Sequence, residues 1–494
     1  MIFQSVLGGF DTPTMESIEK QSLLYSFTNV FSLALLSDMG ISANFSQEIY
    51  DKLHKLLTTE TLDSEDANHH SLELDYNLFP LRAVYSRSNL DFADILGTRN
   101  EGKKDLRWNK EHFKKNVSPL TQALLINTEI QLSKYLYHHS LSDATNPPSS
   151  HEKFIGMLFL HGAMEQGEFC HQYLRNGHGL FVEKKDKSKY QDHILLKVKD
   201  HPIRWLDQIY MMHAYAGLYE LLNNHEHYPN YHDPEQAANF KELASQILHV
   251  LLHQQDVLYE LKTKDLTLAI PLLVETANHL QQQEELEPMV TKLCAELCAR
   301  EVISGKLSRD RQGIKISSLS THGRSITALI EGYKFTQYDF FHGEAKKIYH
   351  YLNSRWNGEI NLFGHSKRKK FKYSAIDIAS MINGLHSLLS VEDQPSNIAL
   401  LQKQLCSFFH SSINISGIQV SSPLVSELSN MRSIGNLDPL SLDLLVYEDN
   451  SCVFSREFKI YPKKDKVYLQ RNSFEPQQAL YAALTLYNLY SKNH

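Results

Sequence analysis

Four short stretches place acidic, amide, imidazole or guanidinium side chains where an irregular segment runs into an apolar-periodic one. They are Asp207 and Gln208 in RWLDQIY, His322 and Arg324 in STHGRSI, Tyr373 and Asp377 in KYSAIDI, and Asn472, Glu475 and Gln478 in NSFEPQQ. Carboxylates held there can donate or accept protons at a reacting oxygen or carbon. A pair of them, with an imidazole such as His322, supplies both halves of general acid/base work. The competing account is local. Asp and Glu in the first turn of a helix satisfy free backbone N–H groups and meet the positive end of the helix dipole. For each carboxylate taken alone, that capping role has the stronger claim.

Histidine is the other reactive residue in quantity, with 26 copies. On a helix through Phe159 to His171, the side chains of His161, Glu165 and Glu168 share one side, a pattern suited to a transition metal or to proton exchange. A metal needs three or four converging ligands, however, and neither HExxH nor a Cys/His zinc spacing occurs, so the expectation is a partly buried His–Glu contact and no metal. The histidines between His225 and His232 sit in a proline-containing loop that reads as solvated. The five cysteines, Cys170, Cys294, Cys298, Cys406 and Cys452, are odd in number and widely spaced, which reads as buried free thiols and not a disulfide framework. There is no GxxxxGK[ST], no GxGxxG after a strand and no GxSxG elbow, so no cofactor is expected.

Composition bounds the partners. The formal charge is 50 − 57 = −7, and the runs Lys184 to Lys189 and Lys367 to Lys370 are short and lie between apolar segments. They read as solvated loops, and no nucleic-acid footprint is present. No window reaches the ~18 uninterrupted apolar residues of a membrane span, and the N-terminus lacks a charged region followed by an apolar one. A cytoplasmic location is the default, with a leader removed before this numbering left open. Hydrophobic residues at 42% and charged residues at 22% are ordinary for a folded chain, and 494 residues suffice for one large repetitive fold.

The elements that must position these residues are helices. Apolar residues recur at three and four spacings through a dozen segments, among them Ile18 to Leu36, Leu120 to Leu136, Ile203 to Leu222, Ala237 to Leu252, Leu266 to Leu280, Ile326 to Phe335, Ile376 to Leu389 and Ala479 to Leu489. Ser118-Pro119, Asp233-Pro234 and Glu475-Pro476 mark starts, with proline where a missing N–H costs nothing. Strand signals are confined to Cys452 to Tyr461 and Lys466 to Gln470, one small hairpin around Pro462 to Asp465.

Four helical segments interleave small residues with large apolar ones: those starting at Ile209, Ile326, Ile376 and Leu480. Small residues at three and four spacings let helices approach closely on more than one side, which suits an inner layer. Ala237 to Leu252 and Ala345 to Leu352 are charged on one face and suit an outer layer. In this alternation the chain resembles the (α/α)6-toroid superfamily, which includes six-hairpin glycosidases and N-acylglucosamine 2-epimerase-like proteins. The segment His322 to Trp356 looks like one toroid hairpin, and Phe371 to Leu389 looks like the inner helix that follows.

The resemblance implies an all-α toroid: N-terminal helices and a long insertion over residues 1–117, repeated hairpins over 118–414, and a long loop, small hairpin and ring-closing helix over 415–494. Ile18 to Leu36 is expected to pair with Ala479 to Leu489 and close the ring. The long insertions Leu62 to Val117, Gly177 to Pro202, Ser304 to His322 and Ile415 to Ser473 read as ordered covers over one end.

A toroid's pocket lies where loops enter the inner helices. The resemblance thus implies a glycoside-processing site in which Asp207, Asp377, Glu475 and His322 are the catalytic candidates. Trp205, Tyr373 and Phe474 would stack on sugar faces, and Gln208 and Arg324 would bind substrate. The implied partner is a small molecule or glycan. Toroids resembling lanthipeptide cyclases hold zinc through cysteines and a Cys-His pair in late hairpins, but here Cys406 precedes Ser407 and the only Cys-His pair is Cys170-His171. The alternative is a non-enzymatic binding protein using the same cavity or the long loops, with His-mediated metal binding as one variant. A fold shared by many activities does not choose between them.

Overall fold

A computed structural model of the chain describes residues 13–43, 80–89, 110–141, 145–189, 193–199, 202–364, 370–420, 453–461, 466–469 and 473–491. Twelve helices build its wall: α1 (Met15–Phe31), α2 (Pro119–His138), α3 (Ser150–Tyr173), α4 (Trp205–Asn223), α5 (Pro234–His253), α6 (Thr263–Leu280), α7 (Gln283–Cys298), α8 (Leu319–Thr336), α9 (Asp339–Asn353), α10 (Ala375–Leu389), α11 (Pro395–Phe409) and α12 (Pro476–Ser491). The even-numbered helices touch in sequence, and α12 returns to α2, so six inner helices close a ring. Each odd-numbered helix packs outside an inner one. The sixth hairpin joins the two ends of the chain, because α1 packs on α12. This is the closure expected of Ile18 to Leu36 and Ala479 to Leu489.

Burial follows the layers. Every residue of α4 from Leu206 through Leu218 is buried, whereas α5 buries only Ala237, Phe240, Ala244, Ile247, Leu248 and Leu251, a single stripe at helical spacing. The small residues do what their size allows. A Cβ on Gly384 of α10 would stand 2.6 Å from the Gly323 carbonyl oxygen, and one on Gly323 of α8 would stand 2.6 Å from that of Ser380. The two backbones therefore touch, and their contact lies one residue before Arg324.

Helix starts are locally encoded. Ser149 and Glu152 form a reciprocal capping box on α3, Ser374 and Asp377 form another on α10, and Ser318 accepts from the Thr321 N–H at the start of α8. The C-terminal hairpin is present as Glu457–Tyr461 paired antiparallel with Lys466–Leu469. A third strand, Phe371–Ser374, pairs with the first and runs directly into α10.

Further two- and three-stranded pieces occur, including Gly40–Ser42 with Leu81–Val84 and Asn116–Val117 with Lys184–Asp186. They are more than the single hairpin expected, because segments this short carry no readable alternation. Most of the expected covers at Leu62 to Val117 and Ile415 to Ser473, and the turn Pro462 to Asp465, lie outside the described residues. No described helix is long and apolar enough to cross a membrane.

Candidate active site at the mouth of the ring

All six inner helices contribute their first turns to one cavity of about 120 Å³. Its wall holds Leu120 and Leu124 of α2, Leu206 and Tyr210 of α4 with the preceding Arg204, and Lys264, Asp265 and Leu268 of α6. Arg324 of α8, Ile376 of α10, and Gln477 and Tyr481 of α12 complete it. Inner helices that each begin at this end direct six positive dipole ends toward it. A shallower groove of about 570 Å³ lies on the outer wall between α3 and α5, lined by residues such as Glu168, His171, Arg175 and Gln236. It is larger, but no buried unpaired charge faces it.

The polar groups of the cavity divide by depth. Arg204 and Lys264 are exposed at the rim, and Asp265 is half-buried beside them. Arg324 is 8% exposed; its Nε has no hydrogen-bond partner, and among the described residues its side chain makes one hydrogen bond, a long one of 3.5 Å from Nη2 to Thr321 Oγ1. No carboxylate among the described residues pairs with it. Tyr210 and Tyr481 are buried, which pushes both phenols up against the opposing pull of Arg324, so both stay protonated donors.

Asp207 lies on α4 between Arg204 and Tyr210 and is 2% exposed. Its Oδ1 is 3.6 Å from Arg204 Nη1 and has no hydrogen-bond partner. Burial pushes its carboxyl up to about 7; Arg204 opposes this, and Glu183 and Asp265 add to it. The group is therefore part-protonated at neutral pH, although it does not line the cavity.

Of the nine side chains singled out from sequence, Arg324 alone lines the cavity. Gln208 clamps the preceding loop: its Oε1 accepts from the Phe181 N–H and its Nε2 donates to the Phe181 carbonyl, both at 2.9 Å. His322 is fully buried, its Nδ1 2.7 Å from the Ser318 carbonyl and its Nε2 accepting from the Leu307 N–H at 3.0 Å, which ties the 301–307 hairpin to α8. Burial lowers its pKa to about 4, so the ring is neutral.

Asp377 caps α10, its Oδ2 accepting from Ser374 N at 3.1 Å and Ser374 Oγ at 2.7 Å. Glu475 pairs with Arg87 and, at 3.3 Å, with Arg456. The Tyr373 hydroxyl donates to the Phe363 carbonyl while its ring stacks on Phe458. Phe474 is fully buried and exchanges backbone hydrogen bonds with Ser88. Trp205 is half-buried against the core. The three candidate carboxylates thus lie in three separate settings and share no pocket.

Asp265, Lys264, Tyr210, Gln477 and Tyr481 are what sequence reasoning missed. A signal existed: Leu206 with Tyr210, and Gln477 with Tyr481, are spaced i, i+4 from an inner-helix start, the spacing of one helical face. Asp265 immediately precedes the apolar run Leu266 to Leu280.

Toward the opposite end of the ring axis a second polar group is paired side chain to side chain. Lys134 of α2 pairs with Glu220 of α4, His213 Nε2 lies 3.2 Å from Glu275 Oε2 of α6, and the His213 and His279 rings stack with centroids 5.6 Å apart. Burial, then Lys134, lowers His213 to about 4; burial, then His213 and Lys134, lowers His279 to about 3. Both imidazoles are neutral, so the contact to Glu275 joins a neutral ring and a carboxylate. Among the described residues no group of three or more His, Cys, Asp and Glu side chains gathers to hold a metal.

No family model matches the sequence, and no curated protein matches it. Solved structures do. The chain aligns with a D-mannose isomerase at 8% identity over 90% of this chain and 97% of that one, TM-score 0.51. It aligns with the cellobiose 2-epimerase of Bacillus thermoamylovorans at 8% identity over 89% and 98%, also at TM-score 0.51. An unsaturated glucuronyl hydrolase specific for heparin aligns at 9% identity over 90% and 96%, TM-score 0.44. At such identities the likeness is one of fold. By its closed ring of six inner and six outer helices, and by its likeness in fold to the isomerase and the epimerase, the chain is an (α/α)6 toroid.

Proposed function

We propose that this protein is a carbohydrate-active enzyme that transfers a proton to or from a sugar held in the axial cavity, with Asp265 as the acid/base. The observation that carries this reading is the convergence of a carboxylate, two protonated tyrosines and a guanidinium without a carboxylate partner on one cavity at the inner-helix starts. Carboxyls of this kind do two related tasks. They protonate a glycosidic oxygen as it leaves, or they remove the proton beside the carbonyl of an open-chain sugar. Tyr210 and Tyr481 can hydrogen-bond the hydroxyls and the oxygen on which charge develops. Asp207 acts as a positioning residue: with Arg204 it holds the charge balance behind the mouth, where the charge of Asp265 acts on its carboxyl. The D-mannose isomerase and cellobiose 2-epimerase folds, whose names denote sugar chemistry, support the substrate class.

Size narrows the ligand. A cavity of about 120 Å³ is small beside the roughly 300–1,000 Å³ of pockets for drug-sized ligands, so it suits one end of a single sugar and not several linked rings. The test is turnover on a panel of reducing monosaccharides in deuterated water, read by NMR for isomerisation and for exchange of the carbon-bound proton, alongside aryl glycosides for hydrolysis. Asp265→Asn should lower kcat on the order of 10²- to 10⁴-fold with the melting temperature unchanged. Failure of every sugar to turn over, or full activity in the variant, would overturn the reading.

A further inference from the structure

Among the described residues no carboxylate pairs with the buried guanidinium of Arg324. A guanidinium is charged at every physiological pH, and burying one without a counter-ion is among the costlier arrangements a fold can hold. Here the side chain is 8% exposed, its Nε has no hydrogen-bond partner, and it lines the cavity. Arg204 and Lys264 add two more cations at the rim, against the carboxylate of Asp265 in the wall and the part-protonated Asp207 beside Arg204, in a chain whose formal net charge is −7. The six inner-helix N-termini contribute positive potential at the same end. Burial of Arg324, its orphaned donor and the sign of the surrounding charge are separate observations, and they agree.

We infer that the substrate is an anionic sugar, a sugar acid or a sugar phosphate, whose charged group docks on Arg324 with Lys264 and Arg204 at the entrance. The inference rests on the carbohydrate reading above and specifies its substrate class. A planar carboxylate suits the guanidinium fork, and a phosphate oxygen pair fits it equally well. With its anion seated on Arg324 of α8, the remainder of the sugar faces Asp265 on α6 and the two tyrosines on α4 and α12.

Isothermal titration of the full chain with D-glucose, D-glucuronate and D-glucose 6-phosphate, and with acetate and inorganic phosphate alone, tests this. At least one anionic sugar should bind ten-fold or more tightly than glucose, and which one does so separates the carboxylate source from the phosphate source. Arg324→Gln should erase that preference, and Lys264→Gln should reduce it by a smaller factor. In the unaltered protein, raising sodium chloride should weaken the anionic sugar and leave glucose nearly unaffected, a result that needs no variant to fold.

Equal affinity for all three sugars would overturn the anionic assignment while leaving the carbohydrate reading intact. A preference that survives Arg324→Gln would remove Arg324 as its cause. Acetate or phosphate binding as tightly as the sugar acids would keep the anion site and overturn the carbohydrate reading instead.

Discussion

The two ends of the ring axis use similar side chains to opposite effect. At the far end Lys134, Glu220, His213, Glu275 and His279 are packed into contacts with one another, with only the neutral His213 Nδ1 left without a partner. At the mouth a buried guanidinium and a buried carboxyl oxygen, Arg324 Nε and Asp207 Oδ1, stand without hydrogen-bond partners beside an open cavity. A buried polar group that is paired serves the fold, whereas a charged one left unpaired beside a cavity is where a ligand can offset its cost. Residue type does not separate the two ends; pairing does.

Removing α12, residues Pro476–Ser491, is the most severe way to break the comparison, since that helix supplies Gln477 and Tyr481 to the mouth and closes the ring on α2. Cooperative thermal unfolding should be lost altogether. An open superhelix would only fray at that end, and a retained sharp transition would contradict closure.

Substitution at each end should separate stability from binding. Glu220→Gln takes the carboxylate from Lys134 and should cost about 1–3 kcal/mol of unfolding free energy in urea, with sugar affinity unchanged. Arg324→Gln, by contrast, removes an uncompensated buried charge, so stability should stay level or rise while binding falls. A large loss of stability in the second variant would mean that Arg324 is a structural residue after all.

The ends should also respond to pH with opposite signs. His213 and His279 have folded pKa values of about 4 and about 3, below the ordinary 6.5, so under pH 6.5 the unfolded chain takes up protons that the folded one refuses. Their contribution is present above 6.5 and lost as the pH falls toward 4. Asp207, raised from 3.8 to about 7, holds a proton that the unfolded chain has released, so its contribution is lost as the pH rises between those values. Urea unfolding from pH 4 to 8 should therefore show a flatter acid limb in His279→Asn and a flatter neutral limb in Asp207→Asn. Identical curves would remove the contrast.

The smallest effect concerns Asp377. As half of a capping box its change to Ala should cost about 1 kcal/mol and leave kcat per folded molecule as it was. A large loss of turnover at unchanged stability would return it to the site.

Much of the architecture was legible in the chain. Helical periodicity, proline starts and capping residues are written in neighbouring residues, and small-residue spacing marked α4, α8, α10 and α12 as inner helices. Two inner helices, α2 and α6, lack so plain a small-residue pattern, and α6 carries Pro271 in its interior. The cavity residues of α6 were missed for that reason. Asp265 looks like a dipole-favoured acid, and Tyr210 looks like core.

What the sequence determined by itself was the kind of element and its layer, because both follow from which residues lie three and four apart. Tertiary structure alone decided which turn of each inner helix faces the axis. It also decided which polar groups find partners, turning Gln208 toward Phe181, His322 toward Leu307 and Glu475 toward Arg87 and Arg456. These partners are remote in the chain, and local spacing carries no information about them. Arg324 Nε and Asp207 Oδ1 stay without hydrogen-bond partners after those pairings, and only the closed ring shows that they do.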